Sequence, residues 1–360
     1  MIKKIDFYIM RKFLGTFFFM IAAFLVIAVV FDISENIDEL LKARAPWYRI
    51  VTEYYVNFCF YFGTLLSSFI VFLTIIWFTS KLAQQSEVIA ILSSGVSYAR
   101  FIRPYFMASG VLVALLLFLS HILVPKANRQ KYEFEVNYIK DPITVVEKNI
   151  HREIEPGTIA YFYAFHPETI SGDNFSLEKW RDGKLTYKLI AASAQYLPDS
   201  RQWRIMNAQI RNFDESGAAG LIMRAQLDTV LPMDEQDFGL RSEITSAMGY
   251  RELSEFIEDQ KLGGSGRVAQ FEVELYNRTA SPFSIFVLTL IGVSIASRKQ
   301  RGGMGVHLIL AVIIGFVFLF ISRVTTVSAM NLGFPAWLAV WVPNVLFTGV
   351  GFWLYSKAQK

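Results

Sequence analysis

Two patterns of apolar and polar positions alternate along the chain. Near-continuous apolar runs occupy Phe13 to Phe31, Tyr54 to Ser80, Pro104 to Val124, Thr279 to Ser297, Met304 to Ser322 and Val324 to Ser356. A helix needs about 20 apolar residues to cross a bilayer, so these runs predict six transmembrane helices, three before and three after a more polar middle segment.

In that middle segment the period shortens to two. Leu185, Tyr187, Leu189 and Ala191 alternate with Lys184, Thr186 and Lys188; Leu221, Met223, Ala225 and Leu227 repeat the pattern, and Ile159, Tyr161 and Tyr163 repeat it more weakly. Such alternation marks half-buried strands. Turn residues fall between them at Arg181-Asp182-Gly183, Pro198-Asp199-Ser200 and Glu215-Ser216-Gly217. An antiparallel sandwich or jelly-roll-like domain is the expected arrangement. Downstream, Tyr250, Leu253, Phe256 and Ile257 share one helical face, and Gly263-Gly264-Ser265-Gly266 supplies a stop and a flexible joint. The predicted fold class is an α-helical membrane protein with six transmembrane helices (3+3) around a central extracytoplasmic β-jelly-roll-like domain. Its boundaries are residues 1–125 for helices one to three, 126–270 for the β domain and 271–360 for helices four to six.

Composition agrees with this division. The chain has 360 residues, of which 53% are hydrophobic and 15% aromatic, too apolar for an ordinary soluble protein. Basic residues gather at alternate ends of the runs: Lys3, Lys4, Arg11 and Lys12, then Lys81, Arg100 and Arg103, then Arg298, Lys299 and Arg301, and finally Lys357 and Lys360. The bias of Lys and Arg toward the cytoplasm predicts that both termini lie inside and that the segment from Lys126 to Arg278 lies outside. A net charge of +4 reflects these flanks, so its natural counterion is membrane phospholipid and not nucleic acid. No small-residue cleavage site follows the first run, which is expected to stay as a helix. Cys59, the one cysteine, lies within the second run and can form no internal disulfide.

Between the second and third runs stands a short amphipathic insert, Leu82 to Gly95. Ser86 occupies an N-cap position, Glu87 suits the positive end of a helix, Gly95 suits its stop, and Val88, Ile91 and Leu92 share a stripe. A helix over 86–95 could lie in a groove on a soluble partner and present Glu87 to a basic residue there; resting on lipid is the plainer alternative. Lys42 and Arg44, just beyond the first run, and Arg323, at the expected outer end of the fifth, are candidate contacts for phosphates of an anionic lipid, with snorkelling to headgroups as the alternative. Asp32 and Glu35 read as a solvated helix end. His121 and His307 stand alone, and no cluster has metal-ligand spacing, so no metal, cofactor or catalytic residue is assigned. The phosphate-binding G-x-x-x-x-G-K-[ST], the G-x-S-x-G and the H-E-x-x-H patterns are all missing from the sequence, which argues that any energy source is a separate chain.

Several segments together resemble one family. They are Ser86-Glu87-Val88-Ile89-Ala90 with Gly95; Glu274-Leu275-Tyr276-Asn277-Arg278 followed by Pro282; Arg298-Lys299-Gln300-Arg301-Gly302-Gly303-Met304-Gly305-Val306; and Pro335-Ala336-Trp337 with Trp341-Val342-Pro343-Asn344. In this order the chain resembles the lipopolysaccharide-export permeases. Met304-Gly305-Val306 leading to Gly315-Phe316-Val317-Phe318, with the single amphipathic helix before the glycine-rich joint, looks more like the G type than the F type.

The resemblance implies a permease subunit of an ABC-type exporter in the inner membrane of a Gram-negative bacterium. It implies that lipopolysaccharide is taken from that membrane and passed to periplasmic bridge proteins. It further implies ATP bound by a homodimer of cytoplasmic ATPase subunits, a second paralogous permease, and docking of the ATPase on Ser86, Glu87, Val88, Ala90, Ile91, Leu92 and Gly95. The first and fifth helices would form a lateral gate. The chain departs from the G-type pattern at the outer end of the first helix, where Asp32, Glu35, Asp38 and Glu39 stand and only Lys42 and Arg44 are basic. Two other classes stand as alternatives: a membrane-anchored scaffold whose β domain binds a periplasmic partner, which needs no amphipathic insert, and a lipid transferase, which needs a polar catalytic cluster near a membrane face.

Overall fold

The computed structural model describes residues 4–42, 45–139, 147–166, 169–198, 200–213, 219–231, 233, 242–262, 267–297 and 303–358. The expected Gly263–Gly266 joint, the Glu215-Ser216-Gly217 turn, the Arg298–Gly302 segment and Arg44 lie outside the described residues. Two compact units are present, one comprising Met1–Ile139, Ser246–Leu253 and Ala269–Lys360, the other Lys140–Thr245 and Ser254–Val268.

The elements run α1 (Lys4–Lys42), α2 (Trp47–Arg49), α3 (Val56–Gln84), α4 (Glu87–Ser93), α5 (Tyr98–Phe118), α6 (Val124–Phe134), β1 (Glu147–Glu155), β2 (Thr158–His166), β3 (Ser171–Arg181), β4 (Lys184–Leu197), β5 (Gln202–Phe213), β6 (Ala219–Thr229), α7 (Ser242–Ala247), α8 (Tyr250–Leu262), α9 (Val268–Ala296), α10 (Gly303–Leu332) and α11 (Ala336–Lys357). Short π-helical stretches, Ile50–Tyr55, Leu119–Leu123 and Glu135–Ile139, join α2 to α3, join α5 to α6 and extend α6. Six stretches are long and apolar enough to cross a membrane: Lys4–Asp38, Trp47–Gln84, Tyr98–Tyr138, Val268–Ala296, Gly305–Leu332 and Ala336–Lys357. Three precede the strands and three follow, as the apolar runs predict.

Two helix ends differ from the hydropathy. The third helix continues beyond Val124 through α6, because Pro125 sits in its first turn, where the missing N–H costs nothing, and Ala127 and Phe134 still find burial. The fifth continues through Arg323 to Leu332. A single Arg does not end a helix; the break falls at Gly333, whose φ of 69° is the left-handed region glycine tolerates, and at Pro335, the N-cap of α11. Arg323 therefore lies within α10 and not at its end.

Among the described residues the helical unit packs around three clusters, one of which joins Val273 and Ala280 of α9 to Ala329 of α10 and Ala339 of α11. Phe13, Phe17 and Ile21 of α1 meet Ile70, Ile75 and Phe78 of α3 and Ala108 and Leu112 of α5. Phe72 and Ile76 of α3 also join Leu288 and Ile291 of α9, Phe318 of α10 and Phe347 of α11. Several polar groups inside are paired: Ser109 and Thr289 hydroxyls lie 2.7 Å apart, and the Asn344 amide nitrogen donates to the Ala280 carbonyl at 3.0 Å. With no water in the hydrocarbon to satisfy them, such groups must find partners within the protein.

In the second unit six antiparallel strands pair in chain order from β1 to β6, which is the expected central β domain. Its core comprises Phe162, Phe165, Phe175, Leu177, Leu189, Ala191, Trp203 and Ile205. On β4 the buried parity matches the expectation. On β2 the opposite face is inside: Ala160 and Phe162 are buried while Tyr163 is 45% exposed. Gly172 on β3 makes the room, since a Cβ there would stand 2.1 Å from the Phe162 ring. On β6 only Leu227 of the four alternating residues packs on the core, and Leu221 and Met223 are exposed.

Burial also changes parity partway along the central strands. Phe162 and Ala164 are buried but so is Phe165; Gly172 and Phe175 straddle Asn174; Ile205 and Ala208 straddle Asn207. Asn174 and Asn207 hold φ of 49° and 55°, the left-handed conformation Asn accepts more readily than most residues, and each inserts the half-step that turns the strand over. On the outer face Lys188 bonds Glu178 at 2.7 Å, holding that carboxyl below its ordinary value.

Candidate functional site

The insert expected at residues 86–95 is α4, and both of its ends are set by left-handed residues. After α3, the amide of Ser86 donates to the Ala83 carbonyl at 3.1 Å and Ser86 takes φ of 61°. The chain reverses there and α4 starts at Glu87, the Ala90 amide donating to the Ser86 carbonyl at 3.0 Å. Ser86 thus holds the N-cap position, but through its backbone: its side chain makes no cap hydrogen bond, because the left-handed conformation differs from the extended one that aims a capping hydroxyl at the next turn. At the other end Gly95, with φ of 86°, closes the helix by donating to the Leu92 carbonyl at 3.1 Å, as its position predicts. Ser97 then caps α5, its hydroxyl accepting from the Arg100 amide at 3.3 Å.

The predicted stripe is real but faces inward. Val88 is 1% exposed and belongs to the core of α1, α3 and α5, and Ile91 and Leu92 pack against the same core. These three are the anchor of α4, not its free surface. Ile89, 41% exposed, and Ala90 form the opposite side with Gln85 and Ser93.

Polar links join α4 and the start of α5 to α1. Tyr8 donates to the Glu87 carboxylate at 3.3 Å, and Lys12 donates to the Tyr8 oxygen at 2.6 Å. Arg100 bonds Asp6 at 2.5 Å, with Asp6 4% exposed. Asp6, Tyr8 and Arg100 are members of the site that sequence reasoning did not single out; their separation along the chain left no local signal beyond the i, i+4 spacing of Tyr8 and Lys12. Any force applied at α4 acts directly on α1 through these bonds and on α3 and α5 through the shared core.

The remaining candidates are dispersed. Arg323 is exposed on α10 and makes no ion pair among the described residues; beside it Ser322, Thr325 and Thr326 hydroxyls donate to backbone carbonyls of the preceding turn. Lys42 is the last residue of α1, and its side chain and all of Arg44 lie outside the described residues. Asp32 is not the solvated carboxylate expected: it is partly buried and accepts from Tyr54 at 3.3 Å and Asn36 at 3.2 Å, while Glu35 is exposed. His307 is buried with Nδ1 2.8 Å from the Ser80 hydroxyl, joining α3 to α10. His121 stands between Tyr250 and the Thr279 hydroxyl. Both serve packing.

Helix exposure sorts the spans. In the most apolar window of α9, 61% of residues are buried, against 22% in α10 and 11% in α1. Six membrane-capable helices, an inserted antiparallel β domain and an amphipathic helix anchored between two spans define a polytopic membrane transport component.

The match to known families makes this specific. The chain belongs to the lipopolysaccharide export system permease LptF/LptG family, whose model matches residues 7–357. The family covers both subunit types alike. A search of curated proteins found no match. The chain is accordingly a multi-pass inner-membrane lipopolysaccharide export permease.

Proposed function

We propose that this chain is one of two permease subunits, of the G type, that draw lipopolysaccharide sideways from the inner membrane and pass it through the β domain to a periplasmic bridge. Both termini and α4 face the cytoplasm in this reading, where a separate ATPase homodimer supplies the energy by pressing on α4. The single observation that carries it is the way α4 is held in a chain of this family: Val88, Ile91 and Leu92 rooted in the core, Glu87 tied to α1, and Ile89 and Ala90 left outward. The contact surface in this reading is Ile89, Ala90, Gln85 and Ser86, with Val88, Ile91, Leu92 and Gly95 fixing its position.

Magnitudes make an external motor necessary. Each methylene taken out of a bilayer costs about 0.8 kcal/mol, so a multi-chain glycolipid does not leave unaided. The poorly buried faces of α1 and α10 suit a gate, because they expose apolar surface to lipid or a second permease, and Arg323 on α10, with Lys42 and Arg44 beyond α1, would supply cations to the phosphates of the cargo. Reconstitution tests the reading: with an ATPase and a second permease, lipopolysaccharide should leave the vesicles only in the presence of ATP, and Arg323→Gln should lower release about tenfold or more without altering assembly, the weight of one charge-assisted bond. Release without the ATPase would overturn it.

A further inference from the structure

Beside the α4 linkage, and sharing its Tyr8 and Lys12, a groove of about 590 Å³ runs between α1 and α3. One end is cationic: Lys4, Arg11 and Lys12 project from successive turns of α1, spaced so that they share a face with Gly15, Thr16 and Phe19. Lys12 is fixed by its bond to Tyr8, and Lys4 and Arg11 make no ion pair among the described residues. Lys81 adds a further positive charge over the Trp77 ring at 5.4 Å. Asp6, the acidic residue of this turn, is turned away to Arg100. Farther along α1 the groove is apolar, lined by Phe19 and Trp77, while Phe7 lies between Lys4 and Arg11; its floor is open because Gly15 carries no side chain: a Cβ there would meet nothing within 4 Å.

We propose that this groove is a binding site for an anionic glycerophospholipid, with its phosphate among Lys4, Arg11 and Lys12 and one acyl chain along Phe19 and Trp77. Charge complementarity selects the headgroup, since three cations at a membrane-spanning helix end attract an anionic lipid over a zwitterionic one. Shape selects the class. The volume is that of a pocket for one ligand, which suits a single inserted chain better than the chain bundle of a glycolipid. Because Lys12 and Tyr8 also hold Glu87, a bound phosphate would fix the residues that join α1 to α4.

Native mass spectrometry of the intact exporter complex, delipidated in detergent and then given phosphatidylglycerol or phosphatidylcholine, tests the site. Phosphatidylglycerol should bind at least tenfold more tightly. Its affinity should fall about fivefold for each of Lys4→Gln, Arg11→Gln and Lys12→Gln, the weight of one cation beside an anionic lipid. Gly15→Trp, which keeps every charge but fills the groove, should lower binding by a similar factor, whereas inorganic phosphate should not compete. Equal binding of the two lipids would overturn the site, as would unchanged binding in Gly15→Trp, which would show charge attraction without a groove. Displacement by an equimolar amount of lipopolysaccharide, or a groove covered by the second permease and inaccessible to either lipid, would also overturn it. If Gly15→Trp does not assemble, the three single charge variants and the comparison of the two lipids still decide.

Discussion

Helices α9 and α10 are of nearly equal length, 29 and 30 residues, and belong to the same unit, yet one is the centre of the bundle and the other its edge. Hydropathy ranks them opposite to burial: the most apolar window of enclosed α9 averages 1.8 and that of exposed α10 averages 2.6. Shape and hydroxyl content follow burial: α9 brings Gly292 against Ile75, buries Ser284, Thr289 and Ser294 and shares core clusters with α3, α5, α10 and α11, whereas α10 approaches α3 at Gly315 and leaves Ile309, Phe316 and Phe320 outward. A buried membrane helix is recognised by small residues that let backbones approach, because apolar surface gains nothing by leaving a lipid environment for another apolar one. The exposed face of α10 is then surface reserved for lipid or a partner.

The largest effect that could break this contrast is overpacking of α9. A Cβ at position 292 would stand 2.8 Å from Ile75, so Gly292→Val should cost about 1–3 kcal/mol, read as a lower midpoint of thermal unfolding in detergent. An unchanged midpoint would show that α9 is not tightly enclosed. A smaller effect comes from the β domain, where polarity faces water and pH can reach it. Glu178 is lowered by Lys188, so the pair stabilises above the unfolded carboxyl value of about 4.3, and the contribution fades as pH falls through the still lower folded value. Amide exchange of β3 and β4 should be faster in Glu178→Gln than in the native chain at pH 6, by a factor of about five or less, and the difference should shrink as the pH falls below the unfolded carboxyl value. The smallest effect on stability belongs to α10. Phe320→Ala, 69% exposed before the change, should leave the unfolding midpoint within about 0.5 kcal/mol of the native chain while weakening copurification with the second permease.

How much was legible follows from which face of each element is wet. The β4 alternation was readable because one side of a strand faces solvent, and the limits of α4 were readable from Ser86 and Gly95. The side of α4 that anchors it was found as a stripe, but a stripe does not say whether its own chain or another covers it. Val88 is covered by its own. On β2 both parities are apolar, so only the space at Gly172 decides that Phe162 points in. Asp32 looked solvated because its partner Tyr54 lies a helix away, and the Asp6–Arg100 and Tyr8–Glu87 links close across about a quarter of the chain, beyond any local pattern. A lone charge at Arg323 reads as a helix end, whereas the stop comes from Gly333 and Pro335.

The central claim is that energy enters through the outward side of α4. Its most direct test is the lipopolysaccharide-stimulated ATPase rate of the reconstituted complex carrying Ala90→Arg, a substitution on the exposed side that leaves the Val88 anchor intact. The account predicts a complex that keeps its two permeases but loses the ATPase on purification, with stimulated hydrolysis and lipid release lowered at least tenfold. Native ATPase retention together with native release would contradict it.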